Sequence, residues 1–185
     1  MPLTQVPQRF SFAPTMLRVD VRELAHGGAV ETVGELRQDD PALDGTEIRL
    51  LEPVAVRGRI QPIGEGRFYW QGTAQTVVAG DCRRCLTPVA TPVKLEIGAL
   101  FSQDQDALDD PDAYAVPPDA AEIDVTPAVR EELLLAAPRF VECREDCKGL
   151  CPQCGKDLNT GPCDCTPVTD ARWQPLKALK DKLRS

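Results

Sequence analysis

The chain has 185 residues, 29 of them acidic and 21 basic, for a formal net charge of −8 and an isoelectric point near 4.7. That length suits one domain, or one body with a small appendage, and the charge excludes a generic phosphate binder. No window approaches 18 apolar residues, which excludes a membrane-spanning helix. Seventeen prolines and 13 glycines in a chain that is 42% hydrophobic favour short strands, turns and loops over long helices.

In chain order, the first 16 residues are interrupted by proline and read as an irregular lead-in. Leu17 to Arg22 alternates apolar and charged residues, the period of a half-buried strand. His26-Gly27-Gly28 reads as a turn, with His26 a surface loop residue, and Val30 to Leu36 as a second strand. Asp39 to Gly45 is a loop. Glu47 to Leu51 and Pro53 to Ile60 are rich in β-branched residues, and Ile63-Gly64-Glu65-Gly66 is a hairpin turn. Arg67 to Gly72 and Ala74 to Ala79 form one long strand or two short ones, and Val93 to Phe101 another. Phe68, Tyr69 and Trp70 suggest a base-stacking platform. Neighbours on a strand face opposite ways, however, so core packing is the better reading.

Charge is concentrated in one place. Residues 101–140 carry 10 acidic and 2 basic side chains, whereas the segments on either side are nearly neutral. Residues 102–120, acidic and rich in proline, read as a solvated linker. A helix follows, with Thr126 as N-cap, Pro127 at its first position, a buried stripe of Val129, Leu133 and Ala136/Ala137, and Pro138 ending it. A last helix from Asp170 to Leu183 carries Trp173, Leu176, Leu179 and Leu183 on one face and lysines on the remainder.

The cysteines organise the chain. Six of the eight fall between Cys143 and Cys165: Cys143, Cys147, Cys151, Cys154, Cys163 and Cys165. The other two, Cys82 and Cys85, form a C-x-x-C in the turn between two predicted strands. Cys151-Pro152-Gln153-Cys154-Gly155 is a tight turn whose backbone N–H groups can point at both sulfurs, and Asn159 and Gly161 suit a turn that returns Cys163 and Cys165 to it. Eight thiols so spaced suit two four-thiolate structural zinc sites. The preferred partition is Cys151, Cys154, Cys163 and Cys165 for one, leaving Cys82, Cys85, Cys143 and Cys147 for the other. Closing the chain between Cys85 and Cys143 costs about 3.6 kcal/mol, against roughly 10–16 kcal/mol from a structural zinc.

Other chemistries fit less well. Disulfides would want a secretory leader, and MPLTQVPQRF has no apolar run, so a cytoplasmic location is expected. A redox C-x-x-C at Cys82–Cys85 lacks a preceding βαβ pattern. The C-x3-C-x2-C of Cys147, Cys151 and Cys154 has the spacing of radical-SAM iron–sulfur enzymes, but only 31 residues follow it. A zinc deaminase wants H-x-E, and the one histidine, His26, precedes two glycines. Four-thiolate metals keep no open position for a substrate. Nothing here nominates a catalytic apparatus or a small-molecule substrate.

The expected organisation is α+β. An antiparallel β-rich body spans 1–101, an acidic linker 102–120, and the mid-chain helix, cysteine-rich zinc-binding segment and final amphipathic helix 121–185, packed with the body as one compact unit. GDCRRCLTPV, the acidic linker, a leucine-bearing helix, CKGLCPQCGKDLN, C-x-C and a terminal D-x-R-W…L helix together resemble the bacterial YceD family, whose members are called large ribosomal RNA subunit accumulation proteins and have relatives in plastids. The resemblance covers roughly residues 48–183, and Ala171 stands where the family often has proline. It implies a non-enzymatic role in accumulation or processing of large-subunit ribosomal RNA and in ribosome assembly, with that RNA or ribosomal and assembly proteins as partners. Arg57, Arg59, Arg67, Arg83, Arg84 and the lysines of the last helix are then candidate contacts, beside the plainer reading of ordinary surface charge. A thiol redox or nucleic-acid-processing enzyme using Cys82 and Cys85 is the alternative.

Overall fold

The computed structural model describes residues 17–104, 113–166 and 172. The lead-in over 1–16, the centre of the acidic stretch and the last helix with its apolar stripe and lysines lie outside the described residues. Elsewhere the chain runs β1 (Arg18–Asp20), α1 (Val21–Gly27), β2 (Val30–Leu36), a 3₁₀ turn (Pro41–Leu43), β3 (Arg49–Leu50), β4 (Val54–Gly64), β5 (Arg67–Asp81), β6 (Pro88–Ser102), β7 (Ala113–Ala115), β8 (Glu122–Asp124) and α2 (Thr126–Ala136). Among these residues no helix is long and apolar enough to cross a membrane.

The main sheet is a meander, β2-β4-β5-β6, antiparallel throughout, with β3 pairing the far end of β5 and β7 added parallel to the edge of β6. The tight Glu65-Gly66 turn joins β4 to β5, and Gly66 takes a φ of +64°, which only glycine adopts freely. Arg67 to Asp81 is one unbroken strand of 15 residues. Alternation sorts its aromatics as the pleat requires: Phe68 and Trp70 are buried while Tyr69 lies on the outer face. The Trp70 indole lies over the backbone of both Gly58 and Gly72, where added Cβ atoms would sit 2.6 and 2.5 Å from its atoms. Its Nε1–H donates to Thr32 Oγ1 at 2.8 Å, so the buried polar atom is satisfied.

Val54, Val56, Ile60, Leu95, Ile97, Ala99 and Phe101 line the inner face of the sheet. Covering it are Leu24 of α1, Ala128, Val129 and Leu133 of α2, and the ribbon in which Val19 of β1 pairs with Ile123 of β8. The opposite face is open to solvent, as an antiparallel sheet permits. The fold is α+β with an antiparallel body.

Three local expectations give way. The strand expected over Leu17–Arg22 stops at Asp20, because its carboxylate accepts the Arg22 N–H at 2.7 Å and caps α1. The acidic stretch is not all linker: β6 reaches Ser102, Ala113–Ala115 pairs along β6, Tyr114 stacks on Phe101 at 5.3 Å, and Val116 is buried. Thr126 is the first residue of α2, and its hydroxyl accepts no helix N–H as an N-cap would. Val125 holds the cap position without a side-chain bond, Asp124 before it accepts the Thr126 N–H at 2.8 Å, and Ala136 is exposed while Ala128 joins the buried stripe.

Candidate metal centres

β5 ends at Asp81 and β6 begins at Pro88, leaving Cys82 to Thr87 as the turn at one end of the longest hairpin. Two backbone bonds tighten it: Cys82 N–H donates to Thr87 O at 2.9 Å and Leu86 N–H to Cys82 O at 2.8 Å. The turn at Cys151 repeats this geometry with Cys151 N–H to Lys156 O at 2.8 Å and Gly155 N–H to Cys151 O at 2.9 Å. In each, the residue after the second cysteine takes a left-handed φ, +72° at Gly155 and +59° at Leu86. Leucine accepts this conformation only at a cost of about 1–2 kcal/mol.

The chain from α2 returns to the end of β5 to complete the first group. Val141 forms a parallel bridge with Cys82, its carbonyl accepts the Arg83 N–H at 2.9 Å, and its side chain occupies the space a Cβ on Gly80 would need. Glu142 takes Arg83 Nε at 2.7 Å and Arg84 at 3.3 Å. Arg84 in turn donates to Cys147 O at 2.9 Å and accepts the Leu150 N–H at 3.0 Å. Cys82, Cys85, Cys143 and Cys147 thereby come together, with Cys82 fully buried and Cys143 exposed.

The second group, Cys151, Cys154, Cys163 and Cys165, is built from one loop. A Leu150–Asp157 bridge and a Leu158 N–H to Gly149 O bond at 2.9 Å fold the turn back. Lys156 Nζ to Pro162 O and Gln153 Nε2 to Thr166 O, both at 2.7 Å, draw the C-x-C end in.

In each group the four sulfurs lie within 4.8 Å of one another. A tetrahedral ion with sulfur at about 2.3 Å sets sulfur–sulfur edges of roughly 3.8 Å. Cys82–Cys147 at 3.8 Å and Cys85–Cys143 at 3.5 Å match that edge, and both far exceed the ~2.05 Å of a disulfide. Electrostatics agree with the geometry. The Cys143 N–H, with those of Arg84 and Cys85, brings Cys82 down to about 6, and the N–H groups of Cys154 and Gln153 bring Cys151 down to about 6. The Thr87 hydroxyl, 3.2 Å away, lowers Cys85. Burial pushes Cys143 up to about 12, and the thiol beside it at Cys154 does the same for Cys165. Four sulfurs at this spacing become thiolates together only beside a cation. The donor sets therefore fit soft or borderline metal ions, and both groups could hold one.

Among the described residues the candidate basic contacts do not form one patch. Arg57 and Arg59 lie on the open sheet face with Tyr69 and Gln71 in a shallow groove that also holds Glu31 and Glu96, and Arg59 pairs with Glu31 at 3.9 Å. Arg67 sits at the hairpin turn, at the start of β5. Arg83 and Arg84 engage Glu142 beside the first group. His26 is exposed, its Nδ1 2.7 Å from Arg22 O, and belongs to neither cluster. Sequence reasoning passed over Thr87, Glu142 and the bonding role of Asn159, since a single polar residue has no spacing signal.

A family model described as Large ribosomal RNA subunit accumulation protein YceD matches residues 70–180, a span holding all eight cysteines. An uncharacterized protein of Mycobacterium tuberculosis is 32% identical over 142 residues, 74% of this chain and 68% of that relative. The maize protein called large ribosomal RNA subunit accumulation protein YCED homolog 1, chloroplastic, is 26% identical over 202 residues, 93% of this chain and 69% of its own. A Bacillus subtilis protein of uncharacterized role is 35% identical over 114 residues, 60% of this chain and 64% of its own. No solved structure matches the chain.

Proposed function

This chain belongs to the YceD family, and on that premise we propose that it is a non-enzymatic factor for accumulation or processing of large-subunit ribosomal RNA and for ribosome assembly. In this reading it acts in the cytoplasm as a binding module whose shape two structural zinc ions maintain. The carrying observation is the family match across residues 70–180, which takes in β5 from Trp70, β6, α2 and both four-sulfur groups. The proposed zinc ligands are Cys82, Cys85, Cys143 and Cys147 for one ion, and Cys151, Cys154, Cys163 and Cys165 for the other. Zinc held by four thiolates supplies cross-linking energy and leaves no coordination position for a substrate, which supports a binding role over a chemical one. The partners in this reading are the large-subunit RNA itself, or ribosomal and assembly proteins.

Depletion of the protein, followed by measurement of large-subunit RNA precursors and subunit profiles, tests the cellular role. Precursors are expected to accumulate and large subunits to fall; unchanged profiles would count against it. The lowered thiol of Cys82 favours the redox alternative, while its complete burial opposes it. Alkylation of the purified, metal-loaded protein separates the two. Zinc-bound thiols resist the reagent, whereas a redox pair at Cys82 and Cys85 reacts.

A further inference from the structure

We infer that Asn159, a residue of the second centre's loop, is a positioning residue for a ligand of the first, so that the two metal centres bind cooperatively. The inference rests on the zinc reading above. It starts from hydrogen bonds that use every polar atom of one side chain. Asn159 Oδ1 accepts the Lys148 N–H at 2.8 Å and Arg144 at 2.8 Å. Its Nδ2 donates to Asp157 Oδ1 at 2.7 Å and to Cys147 Sγ at 3.5 Å. Its own backbone N–H also reaches Asp157 Oδ1, at 2.9 Å.

The donors fix which end of the amide is which. Lys148 N–H and the Arg144 guanidinium can only donate, so the oxygen must face them. The NH₂ is then left facing a carboxylate and a sulfur, both acceptors. An N–H aimed at Cys147 Sγ stabilises the thiolate and fixes the direction of its lone pairs, and the loss of such an outer partner weakens metal binding by roughly 10–100-fold.

Asn159 lies between Cys154 and Cys163, in the loop that the second centre closes on itself. Loading that centre therefore orders Asn159 before the first centre has to gather sulfurs from Cys82 and Cys147, 65 residues apart. Three intervening residues already tether Cys147 to Cys151. Asn159 adds a second, non-covalent link that tracks whether the loop is formed.

The test uses the full-length chain under reducing conditions, loaded with ¹¹³Cd²⁺ as a thiolate-seeking probe and read by NMR, with a competing chelator added stepwise. Two four-sulfur resonances are expected. Asn159→Ala should move the resonance of the centre containing Cys147 and lower that centre's cadmium affinity by roughly 10–100-fold, leaving the other resonance in place. Asn159→Asp keeps the oxygen that Lys148 and Arg144 need but turns a second oxygen toward the Asp157 carboxylate and the sulfur, so it should move the same resonance and lower that centre's affinity at least as far as Asn159→Ala. By reciprocity, Cys163→Ser should weaken the Cys147 centre in the parent chain and leave it unaffected when combined with Asn159→Ala. A resonance of the Cys147 centre that stays unmoved, with unchanged cadmium affinity, in Asn159→Ala, Asn159→Asp and Cys163→Ser would overturn the inference alone. A chain that binds no cadmium would overturn the zinc reading together with it.

Discussion

The two four-cysteine groups use the same turn for opposite purposes. Cys151 to Cys165 is a local clasp: 15 consecutive residues supply all four sulfurs, and the loop bonds mainly to itself. Cys82, Cys85, Cys143 and Cys147 form a long-range clasp that ties the end of the β5–β6 hairpin to the chain arriving from α2. The local group shapes a loop, and the distant one holds the body and the cysteine-rich segment together. On the proposed loading four thiolates hold each ion, so what distinguishes the two groups is the length of chain each one closes.

That difference is best broken by removing one ligand at a time, on the proposed metal loading. Cys85→Ser should lose one equivalent of zinc and, with it, the tie between the β5–β6 turn and the chain arriving from α2, at a buried cluster of Cys82, Cys85 and Cys147. Cys163→Ser also loses one equivalent, but it loosens only a half-exposed loop whose four sulfurs come from neighbouring residues. Metal analysis with denaturant unfolding should show equal stoichiometric losses and the larger destabilisation for Cys85→Ser. Equal destabilisation would mean that the distant clasp does not constrain the body.

Strong chelator should sharpen the contrast at the level of single segments. Hydrogen exchange is expected to lose protection first over residues 143–165, where few buried apolar contacts remain without the metal, while β4, β5 and β6 stay protected by the core around Trp70. Gly72→Ala attacks that core instead, forcing a methyl into the indole. It should destabilise the body by about 1–3 kcal/mol with both metals retained.

The smallest effect is at the turns themselves. Leu86→Gly relieves a left-handed leucine and should stabilise by about 0.5–1 kcal/mol after the entropy of glycine is subtracted. Gly155→Ala imposes that same conformation on a residue with a Cβ and should destabilise by about 1–2 kcal/mol. Opposite signs at matching positions, measured by thermal unfolding, would establish that the two turns are equivalent.

Much of this was legible in the residues. The C-x2-C…C-x-C spacing gathers its own four sulfurs, and the remaining four follow from the count. The meander follows from alternation, since Val54, Val56, Phe68, Trp70, Leu95 and Ile97 all point inward at period two. What was hidden is short or non-local. Asp20 turns an alternating stretch into a helix by accepting a single hydrogen bond. The three residues of β7 pair parallel to β6 inside an acidic, proline-rich stretch, too short for any period to show. The bridge of Val141 onto Cys82 is one residue long, and it is what aims Cys143. Asn159 reads as a turn former, while its amide contacts both halves of the cysteine-rich segment.

The 58-residue separation of Cys85 and Cys143 also imposes an order on biosynthesis. Translation at about 5–20 residues per second separates the two thiols by roughly 3–12 seconds. During that interval the completed hairpin presents a half-built pair of sulfurs to passing metals, oxidants and other nascent thiols, so newly made chains are the stage at which oxidative stress would strike this protein hardest.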